Sequence, residues 1–292
     1  MKNRIKGSIF GSFFGSFFAV LAMLTFAAAA AAQQQGSAGD TVDPYYPALR
    51  NKPIPRTADG KPDLYGFWAE WRRVTGLPGP VGAAAAARQK DIEARFPAPE
   101  QEPMVLTAWA EERHLYNKDP LYHNGDRVRN ELDPSSHCFP AGAARIGAPF
   151  EIVHTPREIF ILYEDNHEIR QIFMDGRKHP EEMDLTWNGY AIGRWDGDTL
   201  VVETIGLREE TLLDGAGHVH TSEMRMVERI RRITYDALEI EKTLTDPKAL
   251  AKPYTTRRTY ILAPPDWDIL EDITCEHKFQ RGIWYGEGPS GL

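Results

Sequence analysis

The chain has 292 residues, of which 42% are hydrophobic and 26% charged, with a formal net charge of −8. That is enough apolar material to bury one sizeable core together with an extension. The acidic balance argues against nucleic acid or an anionic membrane surface as a partner.

At the N-terminus Lys2, Arg4 and Lys6 precede an apolar run from Ile9 that ends in alanines before Gln33. This is the layout of a secretory signal, cleaved near Ala30–Ala32, so residues 1–32 are expected to be removed on export to a bacterial periplasm. A retained membrane anchor is the alternative reading. No cysteine lies near the junction, which disfavours lipoprotein processing. Cleavage removes three positive charges and takes the net charge from −8 to −11.

Residues 33–65 are rich in Pro, Gly and Gln and are expected to run extended. Leu64–Trp71 alternates aromatic with small or polar residues, as an isolated strand able to enter a barrel would. Two short helices are predicted next. Residues 82–96 have high helix propensity and are stopped by Pro97 and Pro99, and residues 106–117 start from a Thr107 cap with Glu111 and Glu112 in the first turns. The Pro-punctuated segment 118–149 is irregular and placed to cover a barrel mouth.

From Phe150 onward the pattern is mainly β. Strands are predicted at 150–155, 158–164, 167–174, 189–195, 199–205, 222–234, 237–245, 254–262 and 268–275, with tight turns at Asp165-Asn166, Asp196-Gly-Asp198 and Tyr235-Asp236. Consecutive strands joined by short turns predict an antiparallel barrel of about eight or nine strands. The domain reading is therefore a signal at 1–32, an extended and partly helical region at 33–149, and a barrel with a tail at 150–292. Cys138 and Cys275 are the two cysteines. In an oxidising compartment they are expected to form one disulfide, worth about 4–5 kcal/mol in the chain-entropy account. Two free thiols are the alternative.

Several strings resemble hallmarks of a broad group of exported bacterial proteins. These are Gly-Arg-Trp-Asp-Gly-Asp-Thr-Leu-Val-Val-Glu-Thr at 193–204, Leu-Tyr-Glu at 162–164, Asp-Gly-Arg-Lys-His-Pro at 175–180 and Leu-Asp-Gly-Ala-Gly-His-Val-His at 213–220. The resemblance spans about Arg56 to Glu276 and implies a lipocalin-like barrel; it brings no residue roles with it.

Candidate chemistry gathers beside turns. Alternation puts His167, Ile169, Gln171 and Phe173 on one strand face, and Glu168, Arg170, Ile172 and Met174 on the other. His167 with nearby Tyr163 suits acid/base work in a pocket, or else His167 is a surface-turn histidine. Arg177 and His179 sit in a loop, where an Arg can clamp a carboxylate and a His can carry a proton, or both are simply solvated. His218 and His220 have strand spacing for a shared metal, with His179 as a third ligand. Without metal they are proton carriers, and no cofactor is expected. Counting hairpins places His179, His218 and His220 at one mouth with Arg177 and Trp187, and His167 at the other. Met224, Met226, Glu228 and Ile230 read as interior, leaving Glu228 to be paired or protonated. Glu203 is expected to pair with a strand arginine such as Arg194 or Arg258.

No nucleophile elbow, phosphate-binding loop, dinucleotide fingerprint or Cys-x-x-Cys occurs. Two function classes remain. One is a cofactor-independent lyase, decarboxylase or isomerase acting on a small aromatic or terpenoid-like compound through Tyr163, His167, Arg177, His179, His218 and His220. The other is a periplasmic carrier of a hydrophobic ligand, with no turnover. Neither involves nucleic acid, or a stable membrane insertion after cleavage. Convergence of these side chains in one cavity favours the enzyme; scatter around the outside favours the carrier.

Overall fold

The structure is a computed structural model and describes residues 48–49, 51–70, 90–97, 99–118, 128, 132–263, 265 and 267–272. Nine strands close into one barrel: β1 (Gly66–Ala69), β2 (Phe150–His154), β3 (Glu158–Tyr163), β4 (Ile169–Phe173), β5 (Tyr190–Asp196), β6 (Thr199–Ile205), β7 (Arg225–Thr234), β8 (Ala237–Thr245) and β9 (Tyr254–Leu262). The alternation read from the sequence has its physical basis in the pleat, which sends successive side chains to opposite faces. Ile152, Ile161, Ile172, Val202, Ile230 and Leu238 are buried in the main core, and Trp68 joins them.

Closure uses an element far away in sequence. β1 pairs with β2 through Gly66↔Ile152 and with β9 through Trp68↔Leu262 and Ala69↔Ile261. Residues 268–272 form no strand, contrary to the expected 268–275 strand, whose last residues lie outside the described set. Gly66–Ala69, within the expected Leu64–Trp71 strand, takes the closing position instead; Trp71 lies outside the described residues. Trp68 is fully buried there, and its indole N–H donates to Leu64 O at 3.0 Å. The region before residue 150 is thus part of the barrel.

Eight of the nine neighbour contacts are antiparallel, but β4 and β5 pair in parallel, through Ile172↔Ala191 and Phe173↔Ile192. A parallel pair needs a connection that returns along the barrel, and residues 174–189 provide it. This reverses the expected sharing of turns between the ends. The 164–168 turn lies at the same end as the 206–224 and 246–253 connections. The turns at 155–157, 197–198 and 235–236 lie at the opposite, hairpin end.

Helix α1 (90–95) is the described part of the expected 82–96 helix; residues 82–89 lie outside the described set. Its Ile92 packs with Ala237 and Ile261, which alternation places on the outer barrel face. Arg95 anchors it bidentately to Asp236. Helix α2 (Ala108–Asn117) starts from Thr107, whose hydroxyl accepts from Ala110 N as predicted. Ala110 packs with Leu207, Met224, Leu244 and Leu250 in a second core, so α2 defines the helix end of the barrel. Ala143 and Ala144 join that core, so part of the irregular segment before β2 does cover this end. The expected signal segment and Cys275 lie outside the described residues. Among those described, no helix is long and apolar enough to cross a membrane.

Candidate functional site

The barrel interior is not purely apolar. Arg170 and Ile172 of β4 point inward, and they are buried together with Glu168 just before the strand. Arg170 Nη2 donates to Glu228 Oε2 of β7 at 2.5 Å and to Thr204 Oγ1 of β6 at 2.8 Å. Tyr163 of β3 lies close enough to Arg170 to act on its charge. Burial works against both charges of the pair, but each partner outweighs it. The Arg170 guanidinium is held up by Glu228, and the Glu228 carboxyl is held down by Arg170 and Lys242. Burial pushes the Tyr163 phenol up to about 12. Glu228 is therefore a paired carboxylate, which resolves the choice the sequence left open.

Lys242 of β8 caps this column toward the helix end. Its Nζ donates to Ala143 O at 3.0 Å and Ala144 O at 2.9 Å, and lies 3.9 Å from Glu228 Oε1. Burial pushes the ammonium down to about 8; Glu228 opposes that shift, while Arg170 and Arg258 add to it.

Beyond Lys242 opens a cavity of about 350 Å³. Its barrel wall is the inner face of β8 and β9, where Ile240 stands opposite Arg258, Lys242 opposite Thr256 and Leu244 opposite Tyr254. Tyr260 and Ile146 add apolar surface, and Gln101 and Met104 complete the lining. Burial raises the Tyr260 phenol well above its usual range. Arg258 Nη1 donates to Glu70 Oε1 at 2.8 Å. Arg145, also in the wall, is held bidentately by Asp133. The size and the mixture of apolar wall with few polar groups fit a small-molecule site.

Asp214 reaches the same cavity from the 206–224 connection. Its carboxylate accepts from Ala216 N, His218 N and, at 2.6 Å, His218 Nδ1. The His218 ring stacks on His114 of α2 with centroids 3.8 Å apart and planes 10° apart. His220 turns to other partners, with Nδ1 bonded to Thr221 O at 2.9 Å and Nε2 to Thr211 Oγ1 at 2.6 Å. Burial pushes it down, so it is a neutral, satisfied core histidine.

Of the side chains singled out from sequence, Tyr163 alone points into the main core. His167 is exposed beside an outer groove that includes Ile269 and Leu270. Arg177 is clamped by Asp175, lies 3.8 Å over the Phe173 ring and donates to Tyr190 Oη. His179 Nε2 lies 3.4 Å from Glu203 Oε1, and its ring meets Tyr190 edge-on. Phe173, Tyr190 and Glu203 all have the outward parity of their strands, so Arg177 and His179 pack on the outside wall. His179, His218 and His220 consequently do not converge. Among the described residues no group of three or more His, Cys, Asp or Glu is placed to hold a metal. Glu203 pairs with Arg225, not Arg194 or Arg258, because Arg225 reaches it across the adjoining outer face of β7.

The sequence reading gave Arg170, Lys242 and Arg258 no role in the site. All three carry a usable signal: each shares inward parity with apolar residues of its strand, as Lys242 does with Leu238, Ile240 and Leu244.

Fold and site together define a closed nine-stranded barrel with a charged interior column and a cavity at its helix end. Comparison with protein-family models, curated proteins and solved structures returns no match.

Proposed function

We propose that the protein is an exported small-molecule-binding barrel whose ligand occupies the cavity against β8 and β9. The observation that carries this is the cavity itself: about 350 Å³, walled by Ile146, Ile240 and Tyr260, with Lys242 and Arg258 offering fixed polar contacts. The scatter of Arg177, His179 and His167 over the outside wall supports binding above turnover. A second reading, acid/base catalysis on the bound molecule, is supported by Lys242. An ammonium brought down to about 8 exchanges its proton near neutrality. Export, and the kinship with exported barrel proteins, rest on the basic and apolar run of residues 1–32 and on the strings at 162–164, 175–180, 193–204 and 213–220. In that compartment Cys138 and Cys275 pair.

One experiment reads all of these. Native mass spectrometry of the full chain expressed in a bacterial periplasm should show loss of about residues 1–32, a mass short by the two hydrogens of a disulfide, and a small molecule retained after exchange. A Lys242→Met variant should retain less of that molecule. An uncleaved chain would refute export. Unreacted thiols would refute the disulfide. Equal retention by wild type and variant, or none by either, would refute the cavity as the binding site.

A further inference from the structure

The cavity's polar groups are unevenly charged, and this bears on what it accepts. Three cations share this inward face: buried Arg170, partly buried Lys242, and Arg258, whose side chain is largely exposed; both arginines act on Lys242. Two carboxylates answer them, with Glu228 on Arg170 and Glu70 on Arg258. One positive charge is left in excess, and it sits at Lys242, where the column meets the cavity.

The carboxylate that lines the cavity, Asp214, does not cancel it. Asp214 already receives three donors from its own turn and from His218. Arg145 is likewise spent on Asp133. Lys242 has three N–H donors and gives two to the Ala143 and Ala144 carbonyls. Among the described residues none accepts the third, because Glu228 Oε1 at 3.9 Å is beyond hydrogen-bond range. Arg258 gives one N–H to Glu70, and a guanidinium has five. A buried cation without a full counter-charge is costly, and an anionic ligand group removes that cost on binding.

We propose that the cavity selects a small monoanion with an apolar body, a carboxylate of aromatic or aliphatic type, whose anionic group bonds to Lys242 and Arg258 while its body lies along Ile240, Ile146 and Tyr260. This rests on the binding function proposed above and specifies its ligand. The fit is amphipathic on both sides: β8 and β9 alternate apolar Ile240 and Leu244 with Lys242 along one inward face. Monoanion follows from the count, since a second negative charge would meet Glu228 and Glu70 without a cation of its own. The ligand's charge also has a pH window. Lys242 holds its proton below about 8 and gives it up above, while a carboxylate stays ionised throughout.

The test uses the full-length mature protein and matched probes: benzoate, phenylacetate and octanoate, each beside its primary amide, followed by isothermal titration and thermal shift. Carboxylates should bind at least about tenfold more tightly than their amides at pH 7, and the preference should fade above pH 8 as the ammonium loses its proton. Arg258→Gln, on a half-exposed side chain, should cut the preference without loss of folding, and Lys242→Met should abolish it. Arg231→Gln, in an outer-face ion pair, should leave it unchanged. Amides binding as well as carboxylates would overturn the anion inference and leave the binding function standing. A preference surviving in both cavity variants would overturn the assignment to Lys242 and Arg258. No binding of any probe of either kind would overturn both.

Discussion

Neutralising Glu228 is the sharpest perturbation of the interior column. Glu228→Gln keeps the shape of the side chain and removes its charge. Arg170, whose side chain is 2% exposed, then stays buried without its carboxylate partner. Breaking a buried pair from one side costs about 3–5 kcal/mol. The reverse change, Arg170→Met, leaves Glu228 with Lys242 at 3.9 Å. At an effective dielectric of 20, that residual attraction is about 4 kcal/mol before desolvation. The two single variants should therefore differ, with Glu228→Gln the more damaging. Joint replacement by Met and Leu should recover most of the loss, because no charge is then orphaned. Urea unfolding at pH 7.5, followed by tryptophan fluorescence, measures all three. In a domain of this size, a loss of 3–5 kcal/mol lowers Tm by roughly 6–20 °C. If Glu228→Gln costs under about 1 kcal/mol, or less than Arg170→Met, the pair is not the buried, mutually dependent unit described here.

Two further outcomes follow from local geometry. Gly189, which starts the return into β5, has φ +64, and a Cβ there would meet Ile205 O at 2.6 Å. Gly189→Ala should cost about 1–3 kcal/mol in denaturant unfolding, and an unchanged midpoint would refute the strain. Burial lowers the pKa of His114, His154 and His220, so the folded state holds fewer protons on them than the unfolded chain. Their contribution is intact above an unfolded pKa of about 6.5 and is lost as pH falls below it, by up to about 1.4 kcal/mol per pH unit for each histidine. Unfolding at pH 7.5, 6.0 and 5.0 should show this decline, shallower in His114→Gln; stability that rises on acidification would contradict it.

The strands were legible from sequence because the pleat writes a two-residue period into any half-buried strand. That period placed Met226, Glu228 and Ile230 on the inner face and Arg225, Arg229 and Arg231 on the outer, as the structure shows. The Thr107 cap was equally local. Two decisions belonged to the tertiary structure alone. The parallel pairing of β4 and β5 sends residues 174–189 back along the wall, which carries Arg177 and His179 to the outside and puts the 164–168 turn at the helix end. No short-range pattern encodes which way a long connection runs. Closure by Gly66–Ala69, with 268–272 outside the strands, likewise depends on contacts between residues almost two hundred positions apart. The cavity shares this origin: Arg170, Lys242 and Arg258 carry inward parity in the sequence, but their excess of one charge over Glu228 and Glu70 exists only because five separate segments meet in one barrel.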